Sequence, residues 1–366
     1  MYRECNEVAN KGVRLKKNNM FIEVGKNKKT LVNCLIGANN KVTYEKEINK
    51  IHRIIEMEYK PDIITDLSIL DNKQLEPLWQ RIVKDTPFIS ATLPIYSVTK
   101  KDSKISCNEL LEVIIEQMEN GVGMITIHPT ANKEIYQYSK HRMIPITSRG
   151  GGIVVKDLII RKFSDDNVYM KILPEVIKQA KKHNVTISIG ATFRSGNIFD
   201  SNDKAQLLEI KEQVKIANEI SRNGVGVIIE SPGHAKPSDI NKITEILNKT
   251  GFPIMPLGPI PTDIAVGMDH ISAGIGATLM GLQGCANIIA TVTRDEHTGG
   301  VPSIESTIEA IRVAKIAAHI IDMEKLNDVE LDEKIVKQRV ETRTCVFGKK
   351  TSGCERCSEL CPLNIV

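Results

Sequence analysis

Short apolar runs alternate with longer charged stretches along most of the chain. Eight of these runs are rich in β-branched residues, and a segment with many charged residues follows each of them. Apolar runs of this length are typical of strands that are buried on both faces of a parallel sheet. The eight predicted strands are LVNCLIG (31–37), DIITDL (62–67), FISATLP (88–94), GMITIHP (123–129), VTISIG (185–190), GVGVIIES (224–231), FPIMPLGP (252–259) and ANIIATV (286–292).

The segments between the runs have the period of amphipathic helices. In one of them, 203–224, the apolar residues fall on one face and Gly224 is a natural stop. That face comprises Leu207, Ile210, Val214 and Ala217. The same period predicts helices over 44–58, 107–121, 168–184, 237–251 and 303–322.

The alternation of eight strands with helices predicts an α/β fold, a (β/α)₈ TIM-like barrel. The alternative is a doubly wound open sheet, which favours a glycine-rich turn after its first strand, where this chain has Gly37 alone. The connection between the fourth and fifth strands is about 55 residues long and contains SRGGG (148–152). Connections of that length are usually functional or carry an insertion.

Composition and charge narrow the function classes. Hydrophobic residues make up 41% of the 366 residues, which suffices for a large core. The net charge of +4 is too small and too dispersed to indicate nucleic-acid binding. No window approaches 18 apolar residues, and the amino terminus lacks the apolar run of a signal peptide. We therefore expect a cytoplasmic enzyme with neither nucleic acid nor a membrane as its partner.

Polar residues stand where the predicted strands end, which is where a barrel builds its active site. Any one of them could be a loop residue that faces solvent, but fold maintenance does not explain so many on one rim. The set comprises Asn33, Asp66, Tyr96, His128, Arg194, Glu230, His234, Asp263, His270, Glu296 and His297.

Two arginines lie in glycine-bearing segments of this rim. Arg149 belongs to SRGGG and Arg194 to RSG, so a guanidinium and exposed backbone N–H groups stand together in each. Such a combination binds phosphate, although a glycine run is also an ordinary flexible loop. Together with a barrel, the two segments predict a small phosphorylated substrate.

Histidines on two neighbouring loops suggest a metal site. The turn at Pro232-Gly233 holds Glu230 close to His234, and the next loop offers His270 beside Asp269. Two neutral imidazoles from adjacent loops can bind a divalent metal, whereas either histidine alone could simply cap a helix.

A cysteine cluster ends the chain. The stretch 325–350 is charged and predicts a helix followed by a linker, and Cys354, Cys357 and Cys361 follow. Three thiolates can hold a 4Fe–4S cluster with one open iron, which can bind S-adenosylmethionine. Four thiolates, with Cys345, would form a closed iron–sulfur or structural zinc site. We divide the chain into a segment 1–30, the barrel 31–324 and a tail 325–366.

The sequence resembles the ThiC family of radical S-adenosylmethionine enzymes. The resemblance runs from about residue 31 to the end, through LVNCLIG, DIITDLS, ATLPIYS, MITIHP, SRGGGI, ISIGATFRSG, IESPGHAKP, PLGPIPTDIAVGMDHISAGIGA, ATVTRDEHTGGVP and KIAAHIID. It implies a (β/α)₈ barrel and a homodimer in which the cluster of one chain serves the barrel of the other. It also implies that aminoimidazole ribotide is rearranged to hydroxymethylpyrimidine phosphate for thiamine biosynthesis, by a carbon–carbon lyase.

The resemblance assigns roles to individual positions. Cys354, Cys357 and Cys361 match ligands of the 4Fe–4S cluster, while His234 and His270 match ligands of a second metal, usually zinc. An electron donor such as flavodoxin or ferredoxin is implied as well. Substrate-binding positions are matched by Tyr96, His128, Ser148, Arg149, Gly150, Arg194 and Glu230, of which Tyr96, His128 and Glu230 are the candidate catalytic residues.

The chain also departs from the family pattern. The second cysteine gap is one residue shorter than usual, and four positions of the expected pocket have changed, at Leu35, Thr65, Ala191 and Met255. We therefore expect weak use of aminoimidazole ribotide, or a related phosphorylated substrate with a less polar ring. The alternatives are a related synthase such as 5-hydroxybenzimidazole synthase, a zinc-dependent barrel lyase or hydrolase, and a non-catalytic paralogue.

Overall fold

The computed structural model describes residues 11–70, 75–99, 104–346, 356–357 and 360–364. Within these ranges the strands are β1 Val13–Lys17, β2 Met20–Val24, β3 Leu31–Ile36, β4 Ile63–Asp66, β5 Ile89–Thr92, β6 Met124–Ile127, β7 Thr186–Ile189, β8 Val227–His234, β9 Ile254–Ile260 and β10 Ile288–Ala290. The helices are α1 Lys41–Glu56, α2 Leu78–Asp85, α3 Ile95–Val98, α4 Cys107–Glu119, α5 Lys133–Ser139, α6 Arg149–Ile160, α7 Val168–His183, α8 Lys204–Arg222, α9 Pro237–Asn248, α10 Asp269–Gly281, α11 Ile304–Leu326 and α12 Glu330–Thr342.

Strands β3 to β10 form one parallel sheet in the order β10-β3-β4-β5-β6-β7-β8-β9. The two ends of this order lie against each other, and Asn287 joins them. Its backbone N–H donates to the carbonyl oxygen of Ile254 at 2.9 Å, and its side-chain oxygen accepts from the Ile254 N–H at 2.9 Å. The sheet is therefore a nearly closed barrel. All eight predicted strands and the (β/α)₈ fold are confirmed, and the open-sheet alternative is wrong.

A hairpin that the sequence did not predict covers the amino-terminal end of the barrel. Strands β1 and β2 pair antiparallel, and Leu15 is completely buried with the barrel's inner residues. The hairpin lies so close to the start of β6 that a side chain at Gly123 would come within 2.2 Å of the Lys16 carbonyl oxygen. Alternating burial along β1 is the period of a strand with one face inward.

Each predicted helix is present, with ends displaced by a few residues. The apolar face predicted for α8 is only partly right. Ile210 and Ala217 are buried, but Leu207 is exposed and Val214 half-buried, because the inner face of the first turns carries polar side chains instead. In α12 no described residue is buried. No helix in the described part of the chain is long and apolar enough to cross a membrane.

Candidate active site

A cavity of about 800 Å³ opens at the carboxyl ends of the barrel strands. Ten of the candidate residues line it: Asn33, Tyr96, His128, Ser148, Arg149, Arg194, Glu230, His234, Glu296 and His297. Gly150 lies directly behind the ring of His128, where a side chain on this glycine would come within 2.6 Å of the imidazole. His270 lines a small neighbouring void instead.

The SRGGG segment begins a helix and is not the flexible loop that its glycines also allowed. Ser148 is the N-cap of α6, and its hydroxyl accepts from the Gly151 N–H at 3.0 Å. Gly151 packs on Thr192, whose Cα would lie 2.6 Å from an added side chain. The glycines therefore let the start of α6 approach the neighbouring strand ends, and its first residues, Ser148 and Arg149, line the cavity. The start of a helix is a common anion site.

Arg149 is held at the first position of α6. Its Nε donates to the Tyr96 hydroxyl at 3.1 Å, and a terminal nitrogen donates to the Leu67 carbonyl at 3.0 Å. The guanidinium also lies 4.5 Å from the centroid of the Tyr96 ring, which is cation–π distance. Among the described residues, two of the five N–H groups of Arg149 are thus used for positioning, which leaves the others for a ligand.

His128, which follows β6, is neutral. Its Nε2 lies 3.1 Å from the Ser148 hydroxyl, and its Nδ1 has no hydrogen-bond partner among the residues that the structure describes. Burial, and then the charge of Arg194, lower the pKa of His128 to about 3. An unprotonated ring with one free nitrogen is available to exchange a hydrogen bond with a substrate.

Glu230 lies on β8 at the floor of the cavity and is 5% exposed. Its carboxylate accepts from the Ser188 hydroxyl at 3.2 Å and from the Thr126 hydroxyl at 3.3 Å. Burial raises the pKa of Glu230, although the charge of Arg194 opposes the rise. A carboxyl group with a raised pKa holds a proton more readily than a free carboxyl group does, which suits an acid–base role.

His234 contacts a second histidine, which is His297. The two ring centroids lie 5.0 Å apart in an edge-on arrangement. The Nδ1 of His234 lies 2.6 Å from a carboxylate oxygen of Asp263, and the Nδ1 of His297 lies 2.7 Å from one of Asp269. Carboxylates on both Nδ1 atoms leave the two Nε2 atoms for a metal, the usual support for metal-binding histidines.

His270, the other metal ligand that the sequence predicts, lies in a different surrounding. His270 lies in the first turn of α10, with its Nε2 3.5 Å from a carboxylate oxygen of Glu309. Its Nδ1 is buried and has no partner in the described part of the chain. Sequence reasoning noted His297 only as a rim residue, although it ends the run TRDEH after β10. No group of three or more His, Cys, Asp or Glu side chains in the described ranges is arranged to hold a metal.

Three of the four altered positions line the cavity, and Asn33 joins two of them. The Thr65 hydroxyl donates to the Asn33 side-chain oxygen at 2.8 Å, and the Asn33 amide nitrogen lies 3.5 Å from the sulfur of Met255. Leu35 is the third altered residue in the wall. Ala191 is buried just beyond β7, outside the lining. The amide of Asn33 is therefore engaged within the protein.

A buried ion pair in the cavity wall was missed by the sequence reasoning. Lys50 and Glu47 on α1 are 2% and 1% exposed, with 2.7 Å between nitrogen and oxygen. The Lys50 ammonium also donates to the Pro302 carbonyl at 3.0 Å. Burial raises the pKa of Glu47 despite the attraction of Lys50. The sequence did carry a signal for this pair, because two opposite charges stand three residues apart on the side of α1 that faces inward.

The tail cysteines are only partly visible. Cys354 lies outside the described residues. Cys357 is half-buried and Cys361 buried, and the Leu360 N–H donates to the Cys357 carbonyl at 3.0 Å. Cys345 is exposed, with its sulfur 3.6 Å from an Arg339 nitrogen. Free thiols one turn apart fit a cluster ligand set.

Comparison with known proteins places the chain among radical enzymes. Residues 7–346 match the model of the Radical SAM ThiC family. The phosphomethylpyrimidine synthase of Thermodesulfovibrio yellowstonii is 32% identical over 315 residues, covering 82% of this chain and 72% of that protein. The enzyme of the same name from Thermus thermophilus is 29% identical over 377 residues, covering 94% and 85%.

A solved structure, the dihydropteroate synthase of Xanthomonas albilineans, is similar with a TM-score of 0.47. Its sequence identity is 11%, and the match covers 83% of this chain and 97% of that one. This likeness is too distant to bear on function.

Proposed function

Because the chain belongs to the Radical SAM ThiC family, we propose that it rearranges aminoimidazole ribotide to hydroxymethylpyrimidine phosphate as a radical S-adenosylmethionine carbon–carbon lyase. The single observation that carries the substrate class is the cluster of Arg149, Arg194 and the start of α6 in one cavity. Guanidinium groups and helix N–H groups bind a phosphate ester together.

The remaining site residues have roles that follow from their chemistry. Tyr96 fixes the guanidinium of Arg149 through a hydrogen bond and its ring face. His128 stays neutral and offers its free nitrogen to the substrate. Glu230 holds or moves a proton at the cavity floor, where water is largely excluded.

A 4Fe–4S cluster with S-adenosylmethionine would supply the radical chemistry that the rearrangement needs. We propose Cys354, Cys357 and Cys361 as the cluster ligands. The protein's own contribution is to orient the ribotide and to keep water out. The electron donor would be a small redox protein such as flavodoxin or ferredoxin, and the enzyme would work in the cytoplasm.

We propose a second, divalent metal, such as zinc, on the Nε2 atoms of His234 and His297. Support comes from the carboxylate on each Nδ1 and from the contact between the two rings. Two protein ligands leave the other coordination positions for substrate or water. His270, which the sequence favoured, is the alternative ligand, because its Nδ1 is buried without a described partner.

A homodimer is proposed from the apolar surface of α10 and the loop before it. Several large apolar side chains are exposed there, and exposed apolar side chains that cluster on a surface mark contact surfaces. They are Ile264, Val266, Met268, Ile271, Ile275 and Leu279.

The altered wall of the cavity favours a second candidate function, that of a related radical synthase with another phosphorylated substrate. A substrate with a less polar ring would need fewer hydrogen bonds from this wall, where Asn33 is already bonded to Thr65. Mass spectrometry of the products separates the two candidates.

The cluster ligands are tested by alanine variants after anaerobic reconstitution. Cys354→Ala, Cys357→Ala and Cys361→Ala should each abolish iron–sulfur absorbance, while Cys345→Ala retains it. Loss in the Cys345 variant as well would replace the open-iron site by a closed four-thiolate site.

The metal ligands are tested by measuring divalent metal content. His234→Ala and His297→Ala should lose the metal without losing iron–sulfur absorbance, and His270→Ala should keep both. Loss in the His270 variant with retention in the His297 variant would restore the pairing favoured by the sequence. Full metal content in all three would make these histidines structural.

A further inference from the structure

The inner face of α8 carries three polar side chains where a barrel helix normally presents apolar ones. Gln206, Glu209 and Gln213 follow helical spacing, and each is 1% exposed. Burying an amide or a carboxylate is costly unless it is hydrogen-bonded. Together the three are hydrogen-bonded to the carboxyl-terminal ends of β6, β7 and β8 and the residues that follow them. These segments carry the site residues. We call these three residues the polar stripe.

Glu209 joins two of the substrate segments. One carboxylate oxygen accepts from the Thr130 hydroxyl at 2.6 Å and from the Thr192 N–H at 2.7 Å. The other accepts from the Phe193 N–H at 2.6 Å. Thr130 follows His128 by two residues, and Phe193 directly precedes Arg194. A single carboxylate therefore fixes the spacing between the His128 segment and the Arg194 segment.

The two glutamines hold the next segments. Gln213 donates to the carbonyl oxygens of Ile189 at 3.1 Å and Glu230 at 2.9 Å. Gln206 donates to the Pro232 carbonyl at 2.7 Å, two residues before His234. The stripe thus contacts the ends of β6, β7 and β8 from outside the cavity, and none of its members lines the cavity.

We propose that the polar stripe of α8 positions the phosphate-binding and acid–base groups, with Glu209 as the positioning residue that sets Arg194 against His128. The proposal rests on the proposed function for the identity of the ligand. Thr192 extends the same connection to α6, since it lies against Gly151. Burial raises the pKa of Glu209 to about 7, although three donors oppose the rise. The fold therefore retains a buried carboxyl group at position 209 although its burial is energetically costly.

The test is Glu209→Gln, which replaces one of the two accepting oxygens by a donor. The matched control is Glu212→Gln on the outer side of the same helix, where the carboxylate pairs with Lys215. Hydrogen exchange should become faster in peptides covering 128–132 and 190–196 in the Glu209 variant and stay unchanged in the control. Unchanged exchange in both peptides would overturn the proposal.

The second readout is the ratio of affinities for aminoimidazole ribotide and its dephosphorylated riboside. The Glu209 variant should lose about tenfold in this ratio, because the phosphate contacts depend on the position of Arg194. Equal losses for both ligands would make Glu209 merely structural and overturn the proposal. A wild-type ratio near one would contradict the proposed phosphate site, while the exchange result still decides the role of Glu209.

If Glu209→Gln does not fold, Thr130→Val decides the matter, since it removes one of the three bonds and keeps the carboxylate. Faster exchange in 128–132 and a smaller loss in the same ratio are expected. Wild-type behaviour in both measurements would overturn the proposal.

Discussion

The two sides of the cavity use their polar groups in opposite ways. On one side, the phosphate half, His128 and Arg149 keep hydrogen-bonding atoms free after they have been positioned, with Ser148 and Arg194 beside them. On the other side, the ring half, Asn33 is bonded to Thr65 and Met255, and Leu35 adds an apolar surface. The polar groups of the phosphate half remain available to a ligand, whereas those of the ring half are hydrogen-bonded within the protein.

The two halves differ in the kind of recognition they can provide, one for a phosphate and one for a ring. Charge-assisted bonds to a phosphate are strong and tolerate variation in the rest of the ligand. A polar ring needs partners at defined points, and each buried group left without one costs about 1–3 kcal/mol. Under the proposed function, the phosphate half preserves the class of substrate, and the ring half changes its preferred member.

The largest effect is expected from breaking the phosphate half. Arg194→Ala should weaken ribotide binding by about 1.5–3 kcal/mol, the range for hydrogen bonds to a charged group. It should also raise the pKa of Glu230 further, because the charge of Arg194 lowers it. Calorimetric titration measures the affinity, with Arg222→Ala at the end of α8 as the control. Arg194→Lys should bind weakly rather than not at all, since it keeps the charge and loses the fork.

The protonation state of His128 gives the next prediction. Its pKa is lowered to about 3 in the folded protein, so the unfolded chain binds more protons between about pH 6.5 and 3. Stability should fall in this window as the pH falls, by about 1.4 kcal/mol for each pH unit. Urea unfolding of His128→Asn should show a shallower dependence on pH than the wild type. The same slope in both proteins would mean that His128 is protonated in the fold.

A smaller effect on ribotide affinity is expected from making the ring half more polar. Leu35→Asn adds a polar partner and should tighten aminoimidazole ribotide by about tenfold. Leu35→Ile is the matched control, because it keeps the wall apolar and should leave affinity unchanged. If the asparagine variant binds no more tightly than the control, the ring half does not limit the choice of substrate.

The smallest effect concerns the bond inside the ring half. Thr65→Val removes the hydroxyl that donates to Asn33 and should lower the free energy of unfolding by about 1 kcal/mol. Ribotide affinity should change far less than in the Arg194 variant. A loss of affinity as large as that of Arg194→Ala would show that the two halves do not act independently.

The barrel was predictable because its strands are continuous apolar runs, and burial on both faces leaves few other structures for such runs. The hairpin β1–β2 was not predicted, since its strands are only five residues long and β1 mixes apolar residues with basic ones. SRGGG did not reveal a helix because three glycines disfavour one locally. Close packing of Gly150 and Gly151 against His128 and Thr192 reverses that preference.

The site residues on the strand ends were predictable from topology alone, because all strands of a barrel end at one face. The histidine pair that we propose as metal ligands was harder to predict. His270 and His297 both follow late strands, and only the fold shows that α10 turns His270 toward Glu309 while His297 contacts His234. The polar stripe was hidden for a similar reason, since Leu207 completes an apolar period on α8 but is exposed in the fold.

The central claim is that a ThiC-family enzyme has kept its phosphate half and altered its ring half. Its most direct test is anaerobic incubation with S-adenosylmethionine, a reductant and aminoimidazole ribotide, followed by mass spectrometry, beside the Thermus thermophilus relative. The account predicts 5′-deoxyadenosine and hydroxymethylpyrimidine phosphate, formed more slowly than by the relative. An equal rate would contradict the altered ring half, and absence of 5′-deoxyadenosine from the reconstituted protein would contradict the proposed function.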